Sequence, residues 1–254
     1  MGQKIKISFF YFVVPALFLS GLAILLCSCT KKDAGITPVI VPVNNFNTDS
    51  MQNDSTKKYL ALGDSYTIGT SVTETDRYPV QTTAILKAQG INIASPEIIA
   101  TNGWTTINLI NGISNTPLTN SYDAVSLLIG VNDQYQGATL GQYKQQFIIL
   151  IQRSIQLAKG KPDHVFVISI PDYSVTPFAR GRDVKEIAKE IDAFNDANKT
   201  IAASNNVNYL DITAESRKAA SDPSLIASDS LHFSGKEYTI WSDMLAPMMN
   251  KVLR

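Results

Sequence analysis

Residues 59–67 have the sequence Tyr-Leu-Ala-Leu-Gly-Asp-Ser-Tyr-Thr. A hydrophobic run of four residues is followed by Gly63 and then by the polar pair Asp64 and Ser65. A short hydrophobic run that ends at a glycine predicts a buried β-strand, and the polar residues beyond it predict a loop at the strand's carboxyl end. The same arrangement recurs along the chain, so this stretch guides the interpretation of the remainder.

Short hydrophobic runs predict five strands, separated by longer amphipathic segments. The predicted strands are 59–62, 97–100, 124–129, 164–170 and 207–212. The third and fourth runs are hydrophobic almost throughout, which is typical of strands that are covered on both faces.

Three of the amphipathic segments begin with helix-capping residues. Residues 139–142 predict a capping box for a helix that ends before Gly160, and residues 183–186 open a second helix. Residues 234–237 predict another capping box, at the start of the final helix. Alternation of strand and helix predicts an α/β fold: a three-layer sandwich with a five-stranded parallel sheet and helices on both faces.

Ligand sites in parallel sheets form outside the carboxyl ends of the strands. Segments with reactive groups follow each of the five predicted strands, the last after a short linker. They are Gly63-Asp64-Ser65-Tyr66-Thr67, Asn102-Gly103-Trp104, Gly130-Val131-Asn132-Asp133, Pro171-Asp172-Tyr173 and Asp229-Ser230-Leu231-His232. If the strands are parallel, these segments meet at one edge of the sheet.

This set of groups has the components of acyl transfer. A serine hydroxyl such as that of Ser65 is a weak nucleophile until a base takes its proton, and histidine is the base suited to neutral pH. A carboxylate orients the imidazole. The amides of Ser65 and Gly103 and the side chain of Asn132 could stabilise negative charge on a substrate oxygen.

Taken in order, GDSYT, NG, GVND and DSLH resemble the motifs of the SGNH hydrolases, also called the GDSL esterase/lipase family, over residues 59–253. The resemblance implies that Ser65 is the nucleophile, that His232 is the general base and that Asp229 orients it. It implies an oxyanion hole formed by Ser65, Gly103 and Asn132. It also implies a flavodoxin-like strand order, 2-1-3-4-5, and no cofactor.

Other polar residues near the strand ends have simpler interpretations. The chain has two histidines, and His164 falls at the opposite edge of the sheet, so a histidine-dependent mechanism must use His232. So few histidines also argue against a metal site. Asp64 and Asp133 are interpreted as hydrogen-bonding residues of turns and loops.

The substrate pocket is less well defined by the sequence. The loop 171–182 is predicted to be irregular and to shape the pocket. Several aromatic residues near the strand ends could either line the pocket or pack in the core and rim. They are Tyr66, Trp104, Tyr135, Tyr173, Phe178 and Phe233.

The N-terminal region predicts export and lipidation. Lys4 and Lys6 precede an almost wholly apolar stretch, 7–26, which fits a signal peptide or, alternatively, an uncleaved membrane span. Residues 26–29, Leu-Cys-Ser-Cys, resemble a bacterial lipobox with Cys29 as the lipidated residue. The alternative is a membrane helix with two buried cysteines.

The predicted organisation is a lipoprotein signal peptide at 1–28, a flexible polar tether at 29–58 and an esterase domain at 59–254. The predicted location is the bacterial cell envelope, lipid-anchored, either at the outer membrane or facing the periplasm.

Composition limits the classes of partner. Basic and acidic residues number 22 each, so no excess of positive charge is present for binding nucleic acid. The motifs and the family resemblance lead us to expect a serine esterase whose substrates are small acyl esters such as acetylated glycans, with no metal. The alternatives are a lysophospholipase or lipase, and an inactive hydrolase-like binding lipoprotein.

Overall fold

The computed structural model describes residues 55–254. The predicted signal peptide, Cys29 and the predicted tether up to residue 54 lie outside the described residues, and these predictions stay predictions. Near the start of the described residues, Lys57 forms a parallel bridge with Ile93. None of the helices within the described residues is both long enough and apolar enough to cross a membrane.

Five parallel strands form one sheet in the order β2-β1-β3-β4-β5. The strands are β1 Tyr59–Gly63, β2 Glu97–Ala100, β3 Ala124–Leu128, β4 Val165–Ile168 and β5 Asn208–Leu210. The predicted fold class and strand order are confirmed. All residues of β3 and β4 are buried, in agreement with strands covered on both faces.

The last two strands are shorter than predicted because side chains replace strand partners at their ends. Ile170 lies beyond β4, and its backbone N–H and C=O both bond to the side chain of Asn195, each at 2.8 Å. Ile212 lies beyond β5, and its N–H donates to Ser169 Oγ. Both residues are hydrophobic and fully buried, as residues of a central strand are, and for this reason they were included in the predicted strands.

Eight helices accompany the sheet within the described residues. They are α1 Ser65–Ile68, α2 Tyr78–Ala88, α3 Thr106–Asn115, α4 Val131–Tyr135, α5 Leu140–Leu157, α6 Val184–Ser204, α7 Thr213–Ser216 and α8 Gly235–Leu253. Helices α2 and α8 pack against each other, and α5 packs against α3 and α6. The two groups of helices form the outer layers of the sandwich.

The predicted helix starts are confirmed, with one correction. Thr139 and Gln142 form the reciprocal capping box of α5, and Asp183 accepts the N–H of Glu186 at the start of α6. Ser234 caps α8, but the Glu237 side chain does not complete the predicted box. It instead accepts the indole N–H of Trp241 at 2.7 Å, so burial of the tryptophan determines where this carboxylate lies.

Two connecting segments near the site have more structure than predicted. The loop 171–182, expected to be irregular, contains the 3₁₀ turns Tyr173–Val175 and Pro177–Ala179. The segment between β5 and Asp229, expected to be a short linker, contains α7 and further 3₁₀ turns. Arg217 of this segment bonds to the buried Asp172 at 2.8 Å and so joins the two connections.

The register of the sheet aligns the strand ends that lead into the site. Gly63 at the end of β1 pairs with Ala100 of β2 and with Leu128 of β3. The residues that follow these three positions therefore emerge side by side at the carboxyl edge of the sheet. His164 lies just before β4, at the other edge, where its Nδ1 donates to the carbonyl of Asp123 at 2.6 Å.

Candidate active site

Ser65 lies at a sharp turn between β1 and α1. Asp64 caps α1, because its Oδ1 accepts the backbone N–H of Tyr66 at 3.0 Å. A Cβ atom on Gly63 would come within 2.1 Å of Thr67 Oγ1 and 2.4 Å of the Leu128 carbonyl oxygen, so the turn requires glycine. The turn leaves Ser65 only 6% exposed, on the wall of a cavity.

His232 is held by Asp229, three residues earlier in the same loop. Its Nδ1 lies 2.5 Å from Asp229 Oδ2, and its backbone N–H donates to Asp229 Oδ1 at 2.9 Å. Because a carboxylate can only accept, Nδ1 carries the proton of this bond and Nε2 is left to face a reacting group. The ring of Tyr66 packs edge-on against the imidazole, with 5.5 Å between the ring centroids.

Asp229 is an ionised carboxylate in a partly buried position. Burial by itself raises the pKa of Asp229, but hydrogen bonds outweigh burial and hold this pKa well below its usual range. The donors are the side chains of Ser71 and His232 and the backbone N–H groups of Leu231 and His232. A carboxylate that stays charged at neutral pH can orient the imidazole and stabilise its protonated form.

Asn132 is hydrogen-bonded to the loop that contains Gly103. The Asn132 side-chain NH₂ group donates to the carbonyl of Trp104 at 3.0 Å, which fixes the carboxamide next to the loop of Gly103. Its second N–H is left for a ligand. Gly103 has a φ of +77°, a backbone conformation that favours glycine.

The predicted site residues from the described part of the chain come together. Ser65, Gly103, Asn132 and His232 line one cavity of about 240 Å³, and Asp229 holds His232. Within the described residues, no hydrogen bond joins the His232 imidazole to Ser65 Oγ. Such bonds are often long before substrate binds. Cys29, the predicted lipidation site, lies outside the described residues.

Some of the candidate aromatic residues line this cavity, and others pack elsewhere. The rings that line it are those of Tyr66, Tyr135, Tyr173 and Phe178. Phe233 is fully buried and packs against Trp241. The ring of Trp104 covers Gly112 of α3, where a Cβ atom would meet it at 2.4 Å.

The sequence analysis missed Ser71 at the site and included Arg182 only as the last residue of the loop 171–182. Arg182 lies over the rings of Tyr135 and Phe178, 4.9 and 4.7 Å from their centroids, and donates to the Tyr135 hydroxyl at 3.0 Å. Ser71 donates to Asp229 Oδ2 at 2.6 Å. Ser71 belongs to no motif at a strand end, so the pattern used to find the other residues did not include it, and no local signal gave Arg182 a specific role within its loop.

The sequence profile of the GDSL-like lipase/acylhydrolase family matches residues 61–240. The chain belongs to this family. The match includes Ser65, Gly103, Asn132, Asp229 and His232, which are the residues that meet at the cavity. A sequence comparison with curated proteins gave no match.

Solved structures of acylhydrolases have the same fold as this GDSL-like chain. A lipase/acylhydrolase from Enterococcus faecalis is 17% identical, with a TM-score of 0.62 over 77% of this chain and 96% of that chain. The acetylxylan esterase Axe2 from Geobacillus stearothermophilus is 19% identical, with a TM-score of 0.60 over 76% of this chain and 94% of that chain. The psychrotrophic esterase EstA from Pseudoalteromonas sp. is 15% identical, with a TM-score of 0.56 over 77% of this chain and 97% of that chain.

Metal-ligating side chains are not clustered in the described part of this GDSL-like chain. Residues 55–254 contain no group of three or more His, Cys, Asp or Glu side chains that could hold a metal ion. The expectation that the reaction needs no metal or cofactor stays a prediction.

Asp64, next to Ser65, is a buried acid with an incomplete set of hydrogen bonds. Burial raises the pKa of Asp64 to about 8 from the ordinary value of 3.8. Within the described residues its Oδ2 has no hydrogen-bond partner. The pKa of Asp64 is higher in the folded chain than in the unfolded chain. At pH values between 3.8 and about 8, folding is therefore accompanied by uptake of a proton. The resulting stabilisation is complete below pH 3.8 and is lost as the pH rises through about 8.

The variant Asp64→Asn tests this pH dependence. The amide keeps an acceptor for the Tyr66 N–H but does not titrate. We measure the free energy of unfolding by urea denaturation at about pH 5 and pH 9. We expect this free energy to decrease with pH in both proteins, and the decrease in Asp64→Asn to be smaller than that in the wild type by at least about 1 kcal/mol. Asp243→Asn, at an exposed position of α8, serves as the control and should keep the wild-type dependence. Identical pH dependence in Asp64→Asn and wild type would contradict the assignment.

Proposed function

We propose that this protein is a serine esterase that hydrolyses carboxylic esters through an acyl-enzyme. The observation that carries the proposal is the single cavity lined by Ser65, Gly103, Asn132 and His232, with His232 bonded to Asp229. Membership of the GDSL-like lipase/acylhydrolase family supports the same class of reaction.

In the first half of the reaction, His232 Nε2 accepts the proton of Ser65 Oγ as this oxygen attacks the ester carbonyl carbon. The Asp229 carboxylate holds the Nδ1–H and stabilises the imidazolium that forms. The tetrahedral intermediate collapses with cleavage of the bond to the alcohol oxygen. His232 returns the proton to the departing alcohol, and the acyl group remains on Ser65.

The negative charge of the tetrahedral intermediate is stabilised by donors that are in place before the reaction. These are the backbone amides of Ser65 and Gly103 and the free N–H of the Asn132 side chain, which the Trp104 carbonyl holds in position. In the second half of the reaction, His232 deprotonates a water molecule that attacks the acyl carbon. The bond between the acyl carbon and Ser65 Oγ then breaks, and His232 returns the proton to this oxygen. The products are a carboxylic acid and free Ser65.

We propose that the substrates are small acyl esters such as acetylated glycans. The cavity of about 240 Å³ falls below the usual size of a drug-sized ligand pocket, which favours a short acyl group. Tyr135 and Phe178 are 46% and 37% exposed at this cavity, and Arg182 lies over both rings. Held in this way, the two rings, tilted by 44° to each other, offer an apolar surface for the alcohol part of the ester. The similarity in fold to an acetylxylan esterase is compatible with a sugar in that position.

A lysophospholipase or lipase activity is the second candidate. The same exposed rings of Tyr135 and Phe178 could accommodate a longer acyl chain at the mouth of the cavity. The two candidates therefore differ in which part of the ester contacts these rings, and acyl chain length separates them.

Labelling by a fluorophosphonate tests the nucleophile and the base. We expect the wild type to be labelled and Ser65→Ala not to be labelled. We also expect both Ser65→Ala and His232→Ala to lower kcat by about 10³-fold or more, because each removes a member of the triad. His164→Ala is the matched control, since its imidazole bonds at the opposite edge of the sheet, and it should retain activity. Wild-type protein that is not labelled would instead favour a binding protein without catalysis.

A series of p-nitrophenyl esters tests the substrate class. With the wild type, we expect kcat/KM for the acetyl ester to exceed that for the octanoyl ester by about tenfold or more, because the cavity limits the length of the acyl group. Acetylated xylo-oligosaccharides should release acetate, which is measured directly. Values of kcat/KM that rise with chain length would contradict this prediction and favour the lipase-type activity.

We further propose that the mature protein is anchored in the bacterial cell envelope through a lipidated Cys29. The support for this proposal is the sequence of residues 1–29: two lysines, an apolar stretch and a cysteine preceded by a small residue. Several acyl chains on one cysteine would give a stable membrane attachment, since a single chain binds only marginally.

Cysteine variants test the anchor, because the chain contains only Cys27 and Cys29. In a bacterial host, we expect Cys29→Ser to lose incorporation of an alkyne-tagged fatty acid and to leave the membrane fraction. Cys27→Ser is the matched control and should remain lipidated. Equal lipidation of wild type and Cys29→Ser would rule out Cys29 as the attachment site.

A further inference from the structure

Ser71 bonds directly to the carboxylate that holds the imidazole. Its Oγ donates to Asp229 Oδ2 at 2.6 Å, across 158 positions of the sequence. We propose that Ser71 is a positioning residue, which holds Asp229 and through it His232 in the orientation that ester hydrolysis requires. This inference rests on the proposed function, since it assigns Ser71 a role in the same reaction.

The hydrogen bonds of Asp229 show why a second side-chain donor matters. Oδ1 accepts the backbone N–H groups of Leu231 and His232, which belong to the same short loop. Oδ2 accepts from His232 Nδ1 and from Ser71 Oγ. Among the described residues, Ser71 is therefore the one side-chain donor to Asp229 from outside its own loop. The backbone N–H of Phe178 donates to the Ser230 carbonyl and holds the loop itself, but it does not bond to the carboxylate. Without Ser71, the orientation of the carboxylate and the imidazole depends on bonds within the loop.

Ser71 also connects this loop to the turn of Ser65. The backbone N–H groups of Gly69 and Thr70 both donate to the carbonyl of Ser65 at 3.0 Å, directly before Ser71. A short hydrogen-bonded turn thus joins Ser65 to Ser71, and the Ser71 hydroxyl continues it to Asp229. The arrangement sets the position of the base relative to the nucleophile, and displacement of such groups by about 1 Å can slow an enzyme substantially.

The backbone at Ser71 is held in an unfavourable conformation. Its φ is +66°, a region in which glycine is favoured and serine is uncommon. Unfavourable backbone conformations of this kind are concentrated at functional sites. Ser71 is exposed, so shortening its side chain leaves no cavity in the core. Its effect on catalysis can therefore be separated from its effect on stability.

The experiment compares four variants with the wild type in kcat, KM, rate of fluorophosphonate labelling and melting temperature. Ser71→Ala removes the hydroxyl and keeps the strained backbone, whereas Ser71→Gly removes the hydroxyl and relieves the strain. Ser71→Thr retains a hydroxyl. Ser230→Ala is the matched control, because Ser230 is also exposed, has a φ of +68° and adjoins Asp229, but its side chain makes no hydrogen bond within the described residues.

We expect Ser71→Ala and Ser71→Gly to lower kcat and the labelling rate by about tenfold, the usual effect of losing a hydrogen bond to a charged group, with little change in KM. Ser71→Gly should melt no lower than Ser71→Ala, because glycine suits a positive φ. The kcat values of Ser71→Thr and Ser230→Ala should stay within about threefold of the wild-type value. This change is smaller than the one that loss of such a hydrogen bond produces.

Three outcomes would overturn the inference. One is wild-type kcat in both Ser71→Ala and Ser71→Gly. Another is an equal loss of activity in Ser230→Ala. The third is a Ser71→Thr variant as slow as Ser71→Ala with an unchanged melting temperature. In these three cases labelling of the wild type at Ser65 would still support the proposed esterase. Absence of that labelling would overturn the proposed function and this inference together.

Discussion

The alignment of β1 with both of its neighbours at Gly63 is the constraint on which the site depends. Gly63 pairs with Ala100 on one side and Leu128 on the other, so three strands end level with one another. The chain can turn into α1 directly after this point because Gly63 carries no side chain, and any Cβ atom would meet the Leu128 carbonyl oxygen. Ser65, the Gly103 loop and Asn132 are neighbours for that reason.

Two carboxylates near Ser65 have opposite pKa shifts, and their surroundings explain the difference. Asp64 is fully buried and one of its oxygens has no hydrogen-bond partner within the described residues, so burial dominates and raises its pKa. Asp229 is only partly buried and receives donors on both oxygens, so its pKa is lowered. One acid thus favours the neutral form next to Ser65, and the other remains charged beside His232.

Much of the fold was predictable because its signals are local. Hydrophobic runs marked the strands, and capping residues marked the starts of three of the eight helices within the described residues, α5, α6 and α8. Alternation of strands and helices implied a parallel sheet. Errors arose where a buried side chain took over a backbone or capping partner. Asn195 bonds to Ile170 in place of a neighbouring strand, and Glu237 bonds to Trp241 in place of its own helix start. A hydrophobic or capping pattern does not predict such partners. Some of them are far away in the sequence, and others compete with the local hydrogen bond only in the folded state.

The sequence by itself determined the fold class and, through the family resemblance, the strand order. It also determined five candidate site residues, because each of these residues follows a predicted strand in a short motif. Only the tertiary structure decided which aromatic rings line the cavity and that Ser71 and Arg182 take part in the site. The hydroxyl of Ser71 reaches Asp229 across 158 positions, and Arg182 reaches the hydroxyl of Tyr135 across 47 positions. Contacts between segments so distant in the chain have no local pattern, because they exist only once the sheet has brought the segments together.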